Sequence, residues 1–585
     1  LLKLYYYLLM RGGKAAAKAL SKEGVQYLFT VPVIEYGPFY AGCIDEGIQL
    51  ISMRHEQAVA YAADAWGRVT HQPGVCLGIG GCGSANMASA IIGASYESSP
   101  MLALIPIGES GLPVNYFKEA TSHQFNNFEF YSKYLKWGTR CFSANDLPTH
   151  IRSAFRHSTA GRKGPTLIEM TSDTFFDEVD TFNSPDPIQY RTPSTPMINI
   201  DIAKKAVKMI NNANRPVILV GNGAYWAKSW PELEEFANLM QVPVVTKAGL
   251  PQGIFPEDSP LFGGVCIGFN RTALPRLIVP ESDLIISIGA KFEVLSSWPN
   301  ISPDAQFIQI DFEPSEIGRF RNIDLGIVGD AKEVLKSLIT ASKETNLNVK
   351  QHEWRHFVKN QSELYESQVN KDGLDNSKPI KPGRLIHEIR NTINDDAYVI
   401  MDGADIGSMS RRHLRAKLPG HFMIAHGNWG NMGPGIPFGI ATKLAKKDKQ
   451  VIVITSDGSF GFNAMELETA KKYDIPIVVI VSNNLCWGAE EHPFIHMLGK
   501  EYTKGMGSTF PESTRYDKLA ESLGCYGEIV TQPEEIKPAL KRAFASSLPS
   551  VLDVRVDTND MWPTRTQIID KLPEYLSKKE QIQHV

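Results

Sequence analysis

Two short stretches carry residue types and spacings able to do chemistry. In "VIVITSDGSFGFNAMELETAKKYDIPIVVIVSNNLCWG", Asp457 offers a carboxylate and Asn484, 27 positions on, an amide oxygen. Between them Gly458 lets the chain turn closely enough for backbone N–H groups to face an anion. Oxygen donors of this kind suit magnesium, which commonly binds through one or two protein oxygens and completes its shell on phosphate. A diphosphate held through a magnesium ion is the chemistry the set implies. The competing reading is structural, because a strand followed by Asp-Gly is common in α/β chains and Asn-Asn can simply end a strand. In "ISMRHEQAVAYAADAWGRV", Glu56 opens an amphipathic run directly after an apolar one. A first-turn acid is favoured there by the helix dipole; set against a ligand, the same acid can share a proton with it.

The elements that must position these groups are legible from periodicity. "VIVITS" and "IPIVVIVS" are apolar and β-branched, and "NAMELETAKKYD" between them has helical spacing, which predicts strand, helix, strand. Such a crossover makes the strands parallel and places Asp457 and the Asn483-Asn484 pair beyond the carboxyl ends of two strands of one sheet. Ligands of open α/β sheets bind at that edge. The alternation recurs along the chain, so the expected fold class is α/β, with three units in tandem at 11–180, 198–345 and 379–560. A Pro-rich linker is expected at 181–197 and a polar one at 346–378, with 1–10 an extension ahead of the natural start at Met10 and 561–585 a C-terminal tail. "GNGAYW" in the middle unit lacks a full GxGxxG with a suitably placed acid.

The totals exclude several classes. The 585 residues suffice for about three or four domains. Sixty basic and 64 acidic residues leave a net charge of −4, without the footprint of a nucleic-acid binder or a polybasic membrane patch. The apolar run before Met10 is too short to span a bilayer. Seven cysteines, odd in number and without a CxxC pair, fit a reduced cytoplasmic chain.

The segment from Asp457 to Asn484 resembles the thiamine diphosphate motif, which opens with Gly-Asp-Gly and closes with Asn-Asn; Ser456 stands in place of the first Gly. "RHEQAVAYAADAWGR" with "PGVCLGIGGCGSANM" resembles the glutamate motif of the same enzymes and the glycine-rich turn after it, and "HGNWGNMGPGIPFGIA" resembles their cofactor loop. The order of units is similar to that of the superfamily of acetolactate synthases, 2-hydroxyacyl-CoA lyases and oxalyl-CoA decarboxylases, over the chain after Met10. The resemblance implies doubly wound pyrimidine-binding, central and diphosphate-binding domains. It also implies thiamine diphosphate and Mg2+ as cofactors, with Asp457, Asn484 and the backbone carbonyl of Cys486 as metal ligands. Glu56 is then the acid beside the pyrimidine nitrogen, holding its proton more tightly once buried at a subunit contact. The carbonyl of Gly430 accepts the aminopyrimidine proton and Met432 props the bent cofactor, with further contacts from Gly83, Gly458, Ser459 and Trp487 and diphosphate contacts from Ala404 to Ser408. FAD, an ADP-like group or nothing occupies the central domain in relatives. A homodimer or homotetramer with active sites at subunit interfaces follows from the same resemblance.

Substrate choice is carried by less specific signals. "NYFKEATSHQF" puts Lys118 where many relatives have a neutral Gln, either to pair with a substrate anion or as a surface lysine. His123, His426 and His492 are candidate proton shuttles, although a single histidine near a strand end is more often structural. The "WGAE" run resembles sulfoacetaldehyde acetyltransferases, whereas "VPVIEYG" and "RHEQAVAYAA" resemble 2-hydroxyacyl-CoA lyases and oxalyl-CoA decarboxylases. The expected activity is a lyase or carboligase acting on a 2-oxo acid or 2-hydroxyacyl-CoA. The alternatives are an acetolactate synthase-like or sulfoacetaldehyde acetyltransferase-like transferase and a non-catalytic binding or regulatory subunit on the same fold.

Overall fold

Eighteen strands, among the described residues, build three six-stranded sheets, and every pairing in them is parallel. The computed structural model describes residues 10–108, 125–180, 182, 185–191, 195–266, 274–292, 301–345, 352–425 and 427–559. The first sheet contains β1 (Tyr27–Thr30), β2 (Gln49–Ser52), β3 (Gly74–Leu77), β4 (Met101–Ile107), β5 (Trp137–Cys141) and β6 (Pro165–Thr171), in the order β2-β1-β3-β4-β6-β5. The second contains β7 (Pro216–Val220), β8 (Val244–Lys247), β9 (Phe262–Cys266), β10 (Leu284–Ile288), β11 (Gln306–Asp311) and β12 (Leu325–Val328), in the order β12-β11-β10-β7-β8-β9. The third, β13 (Tyr398–Met401), β14 (Phe422–Ile424), β15 (Val451–Ser456), β16 (Val478–Asn483), β17 (Tyr526–Val530) and β18 (Ser550–Arg555), runs β14-β13-β15-β16-β18-β17 and so repeats the winding of the first.

These are the expected doubly wound α/β sheets, and their sequences show why. Val451 to Thr455 and Val478 to Asn483 are buried on both faces, as a parallel strand covered by helices must be. In each sheet the winding reverses at one pair of neighbours: β1 and β3, β7 and β10, β13 and β15. Reversal opens a crevice beyond the carboxyl ends of those strands.

The helices that flank or carry the site residues and the long helix after the second sheet are α1 (Glu56–Thr70), α2 (Cys82–Asn86), α3 (His352–Gly373), α4 (Ala404–His413), α5 (Gly435–Ala445), α6 (Asp457–Asn463), α7 (Glu466–Lys472) and α8 (Gly488–Leu498). The stretch 346–378, read as a linker, contains the 22-residue α3. Two compact units result, one from the chain up to residue 194 with 425–448 and 463–475, the other from the remainder. In the first, α1 is buried nearly all round, from Ala58 to Ala65 without a break, although its sequence is amphipathic and includes Asp64 and Arg68. Its one buried guanidinium, Arg68, is held by Asp64 one turn earlier at 2.9 and 2.6 Å and lies over the Phe438 ring of α5 at 5.0 Å. In the second unit Ile452, Ile454, Ile480 and Leu552 belong to the core of the third sheet. No helix among the described residues is long and apolar enough to cross a membrane.

Candidate active site

Asp457 follows the last residue of β15 and begins α6, at the reversal point of the third sheet. It is 2 % exposed, and burial pushes its carboxyl up to about 7 against the backbone N–H groups of Gly458, Leu485 and Cys486, which favour the anion. The Gly458 bond is 2.8 Å long. Ser456, which departs from the usual glycine, accepts a hydrogen bond from the Ser459 N–H at 3.3 Å and so helps cap α6. Its side chain has room because Gly403 faces it across the crevice at φ +97°, where an added Cβ would come within 2.7 Å of Ser456 Oγ. Gly458 is required by close approach as well: a Cβ there would lie 2.6 Å from the Trp487 ring, which packs on Phe510 at 5.3 Å.

The Asn-Asn pair divides its labour by strand geometry. Asn483, the last residue of β16, donates to Asp553 Oδ1 at 2.8 Å, and Asn484 is turned toward Asp457 instead. The chain then bends through Leu485 at φ +59° into an antiparallel bridge between Cys486 and Thr509. Phe510 N–H donates to the Leu485 carbonyl and Trp487 N–H to the Ser508 carbonyl, both at 2.7 Å. Alternation along an extended chain therefore turns the Cys486 carbonyl to the opposite side, toward Asn484.

One end of the Asn484 amide lies 3.3 Å from Asp457 Oδ2 and 2.9 Å from the Cys486 carbonyl oxygen. With its oxygen there, three acceptors converge; with its nitrogen there, the amide donates to both. A cation and an N–H are the two partners such a cluster accepts, and the oxygen-only set with one carboxylate has the hardness that magnesium demands. The residues present thus fit a magnesium ion. Asp405, which lies in the 404–408 stretch but was not singled out from the sequence, approaches the same loop, since a Cβ at Gly488 would meet Asn484 Nδ2 at 2.5 Å and Asp405 Oδ2 at 3.1 Å. Asp402 at the end of β13 is buried and accepts from the Ser459 hydroxyl at 2.7 Å, which gives Ser459 a structural partner.

In the first unit Glu56 is the first residue of α1, behind His55, whose Nδ1 accepts from the Gln57 N–H at 3.1 Å. The half-buried Glu56 carboxylate accepts from Asn86 Nδ2 of α2 at 3.0 Å, and Gly83 faces its other oxygen. The loop entering α1 is held by α7 and Tyr473. Glu466 accepts from the Arg54 N–H at 3.0 Å and from the Thr469 hydroxyl at 2.6 Å, Arg54 pairs with Glu468 at 3.0 Å, and Tyr473 accepts from the Ser52 N–H at 2.8 Å. Sequence reading missed Asn86 and Glu466 because neither has a local signature, and both act across long stretches of chain.

Glu466 yields a pH prediction. Burial raises its carboxyl to about 7, opposed by the Thr469 hydroxyl and the Arg54 and His55 N–H groups. A folded chain that holds a proton more tightly than the unfolded one, where the reference value is 4.5, draws its full stabilisation below that reference. The contribution then declines as the pH rises through about 7. Glu466→Gln, with no charge to bury, is expected to gain on the parent from about pH 5 to about pH 8, by about 1.4 kcal/mol per pKa unit of the shift. Thermal midpoints of both proteins at the two pH values check this, and a constant difference would contradict it.

The other expected site residues fall in several places. Gly430, exposed at φ +80°, and the half-buried Met432 sit in the glycine-rich loop, where Asn428 N–H donates to Glu97 at 2.8 Å and Asn431 accepts from Ser89 at 2.6 Å. Ala404 is exposed and Ser408 half-buried on α4. His492 on α8 is buried with Nε2 against the Thr558 carbonyl at 2.6 Å, a contact in which that nitrogen donates. Lys118, His123 and His426 lie outside the described residues. In the central sheet the turn at Gly221 and Gly223 spends both N–H groups on the Ile288 and Gly289 carbonyls at 3.0 and 2.9 Å. Tight packing of that turn on the β10 end accounts for its glycines without a phosphate.

Three α/β sheets in this order, with Asp457, Asn484 and the Cys486 carbonyl gathered at one sheet edge, are the arrangement expected of a thiamine diphosphate enzyme. Family models agree along the chain: the N-terminal thiamine pyrophosphate binding domain matches residues 10–116, the central domain 203–338 and the C-terminal binding domain 405–554. Among similar proteins, a probable acetolactate synthase large subunit of Methanocaldococcus jannaschii is 32 % identical over 566 residues, covering 95 % of this chain and 93 % of that protein. One of Methanococcus aeolicus is 31 % identical with 97 % of each covered, and the acetolactate synthase large subunit of Corynebacterium glutamicum is 28 % identical, with 95 % and 88 % covered. The chain belongs to the thiamine diphosphate-dependent enzymes of the acetolactate synthase superfamily. It is therefore an enzyme.

Proposed function

We propose that this enzyme is a magnesium-dependent carboligase of the acetolactate synthase type. It would decarboxylate one 2-oxo acid and join the remaining acyl unit to a second. The observation that carries the reading is the convergence of Asp457, Asn484 and the Cys486 carbonyl at the sheet edge. The substrate class rests on the acetolactate synthase large subunits that match nearly the whole chain. When bound, thiamine diphosphate supplies the nucleophilic carbon and accepts the electron pair left by carbon dioxide. The Asp457 carboxylate, the Asn484 amide oxygen and the Cys486 carbonyl would hold the magnesium that anchors its diphosphate, with Trp487 and Gly458 beside it. Glu56, oriented by Asn86, would hold the proton shared with the pyrimidine nitrogen. The 2-oxo acid reading takes precedence over a 2-hydroxyacyl-CoA substrate because the relatives at this coverage are named as acetolactate synthase large subunits, two of them as probable ones.

The test is incubation of purified protein, thiamine diphosphate and magnesium with pyruvate, alone and with 2-oxobutyrate, followed by mass spectrometry and carbon dioxide release. One carbon dioxide per acetohydroxy acid is expected. An aldehyde released from a 2-hydroxyacyl-CoA, with no product from pyruvate, would overturn the proposal.

The same reading places each active site between two subunits of a homodimer or homotetramer. Glu56→Gln and Asp457→Ala subunits, each inactive alone, are then expected to recover activity when unfolded together and reassembled. In an equal mixture half of the dimers are mixed and each has one intact site, so about a quarter of the parent activity should return. No recovery in mixed dimers shown to form by sedimentation would place both residues within one subunit's site.

A further inference from the structure

The second unit holds a cavity of about 490 Å3 whose lining includes none of Asp457, Asn484, Cys486 or Trp487. It lies among α3, the chain around Glu257 to Val265, and the C-terminal end of α4. Three arginines line it, Arg390, Arg411 and Arg415, and their surroundings differ. Arg390 and Arg415 share Glu366 as counter-charge, the former at 3.7 Å. Lys417 pairs with Asp258 at 3.5 Å and Lys359 with Glu363 at 3.7 Å. The Glu257 carboxyl accepts from the backbone N–H groups of Gly253 at 3.3 Å and Ala416 at 3.1 Å, and burial raises it to about 7.

Arg411 has no such balance. It is 8 % exposed, its Nε donates to the Gly407 carbonyl at 3.0 Å and its Nη2 to the Ser408 hydroxyl at 2.9 Å, and no carboxylate among the described residues lies within ion-pair distance. Burial alone lowers its pKa to about 10, with no neighbouring acid to oppose the shift. A buried guanidinium without a counter-ion is strongly unfavourable, and two neutral acceptors leave most of its five N–H donors to be satisfied. The lining of the same cavity also includes the apolar side chains Phe262, Leu414 and Phe422. The volume falls in the ordinary range of small-molecule pockets, about 300–1,000 Å3.

We propose that this cavity binds a small molecule with a carboxylate or phosphate group against Arg411 and an apolar body against Phe262, Leu414 and Phe422. A planar guanidinium recognises either oxyanion through paired N–H donors. The proposal stands apart from the reading of the Asp457 site.

The test uses the full chain saturated with thiamine diphosphate and magnesium, so that added anions do not report on the Asp457 loop. Inorganic phosphate, phenyl phosphate and benzoate are each titrated by calorimetry, and hydrogen exchange is followed in residues 404–417 and 257–266. At least one anion is expected to bind and to slow exchange in both segments, and the one that does so names the group. Arg411→Gln should weaken that binding by at least about tenfold, with Arg411→Lys, which keeps the charge, between the two. Absence of binding by all three anions, protection confined to other segments, or equal affinity in Arg411→Gln would each overturn the proposal. Should Arg411→Gln fail to fold, the exchange pattern of the unaltered protein decides the matter.

Discussion

Asp457→Ala is expected to weaken binding of magnesium and thiamine diphosphate by more than about 100-fold, the upper range for losing a partner that merely supports a ligand. The reason is local. Among the three converging groups Asp457 alone carries a charge, and Asn484 and the Cys486 carbonyl cannot replace the Coulombic attraction for a divalent ion. Folding should survive, because the side chain sits at a sheet edge and its burial already raises the cost of ionisation. Asp457→Asn, which retains an acceptor for the Gly458 N–H, separates loss of charge from loss of shape. Calorimetric titration of each variant with magnesium present checks the expectation, and cofactor affinity equal to the parent's would remove Asp457 from the site.

Glu56→Gln is expected to leave cofactor binding nearly intact while slowing exchange of the thiazolium proton by about 10²–10⁴-fold, the usual worth of a positioned acid–base group. Glutamine fills the same space and still accepts from Asn86, so α1 and its entry loop should be undisturbed. What disappears is the capacity to share a proton with the pyrimidine nitrogen. Deuterium exchange at the thiazolium carbon, measured with cofactor saturating, isolates this step from substrate binding and product release. Exchange at the parent rate would refute the role of Glu56. A variant that also loses cofactor would point to positioning through the Asn86 contact instead, which Asn86→Ala would reproduce.

Much of this arrangement was legible beforehand. Val451 to Ser456 and Val478 to Asn483 form strands because they are apolar and β-branched, and their parallel pairing follows from the helical crossover. Asp457 and Asn484 then had to emerge at the same edge, whatever the rest of the chain did. Glu56 was likewise found at a strand-to-helix junction from a change of period alone. The 346–378 segment was less legible because α3 is polar on most of its surface, and Trp354 and Val358 are among its few buried residues.

The sequence by itself therefore determined the α/β alternation in three units and the edge at which Asp457 and Asn484 meet, since these depend on periodicity and on the handedness of short connections. Tertiary structure decided the rest. Ser456 is tolerated because Gly403, 53 residues earlier, has no Cβ. The Cys486 carbonyl turns toward Asn484 because 508–510 binds the other side of that chain. Glu466 holds the entry to α1 from more than 400 residues away, and Arg411 lies without an acid at ion-pair distance among the described residues while Arg390, Arg415, Lys417 and Lys359 each have one. Each is a meeting of distant segments whose geometry is set by packed sheets and helices. Local spacing carries no record of which distant group will arrive, or at what angle.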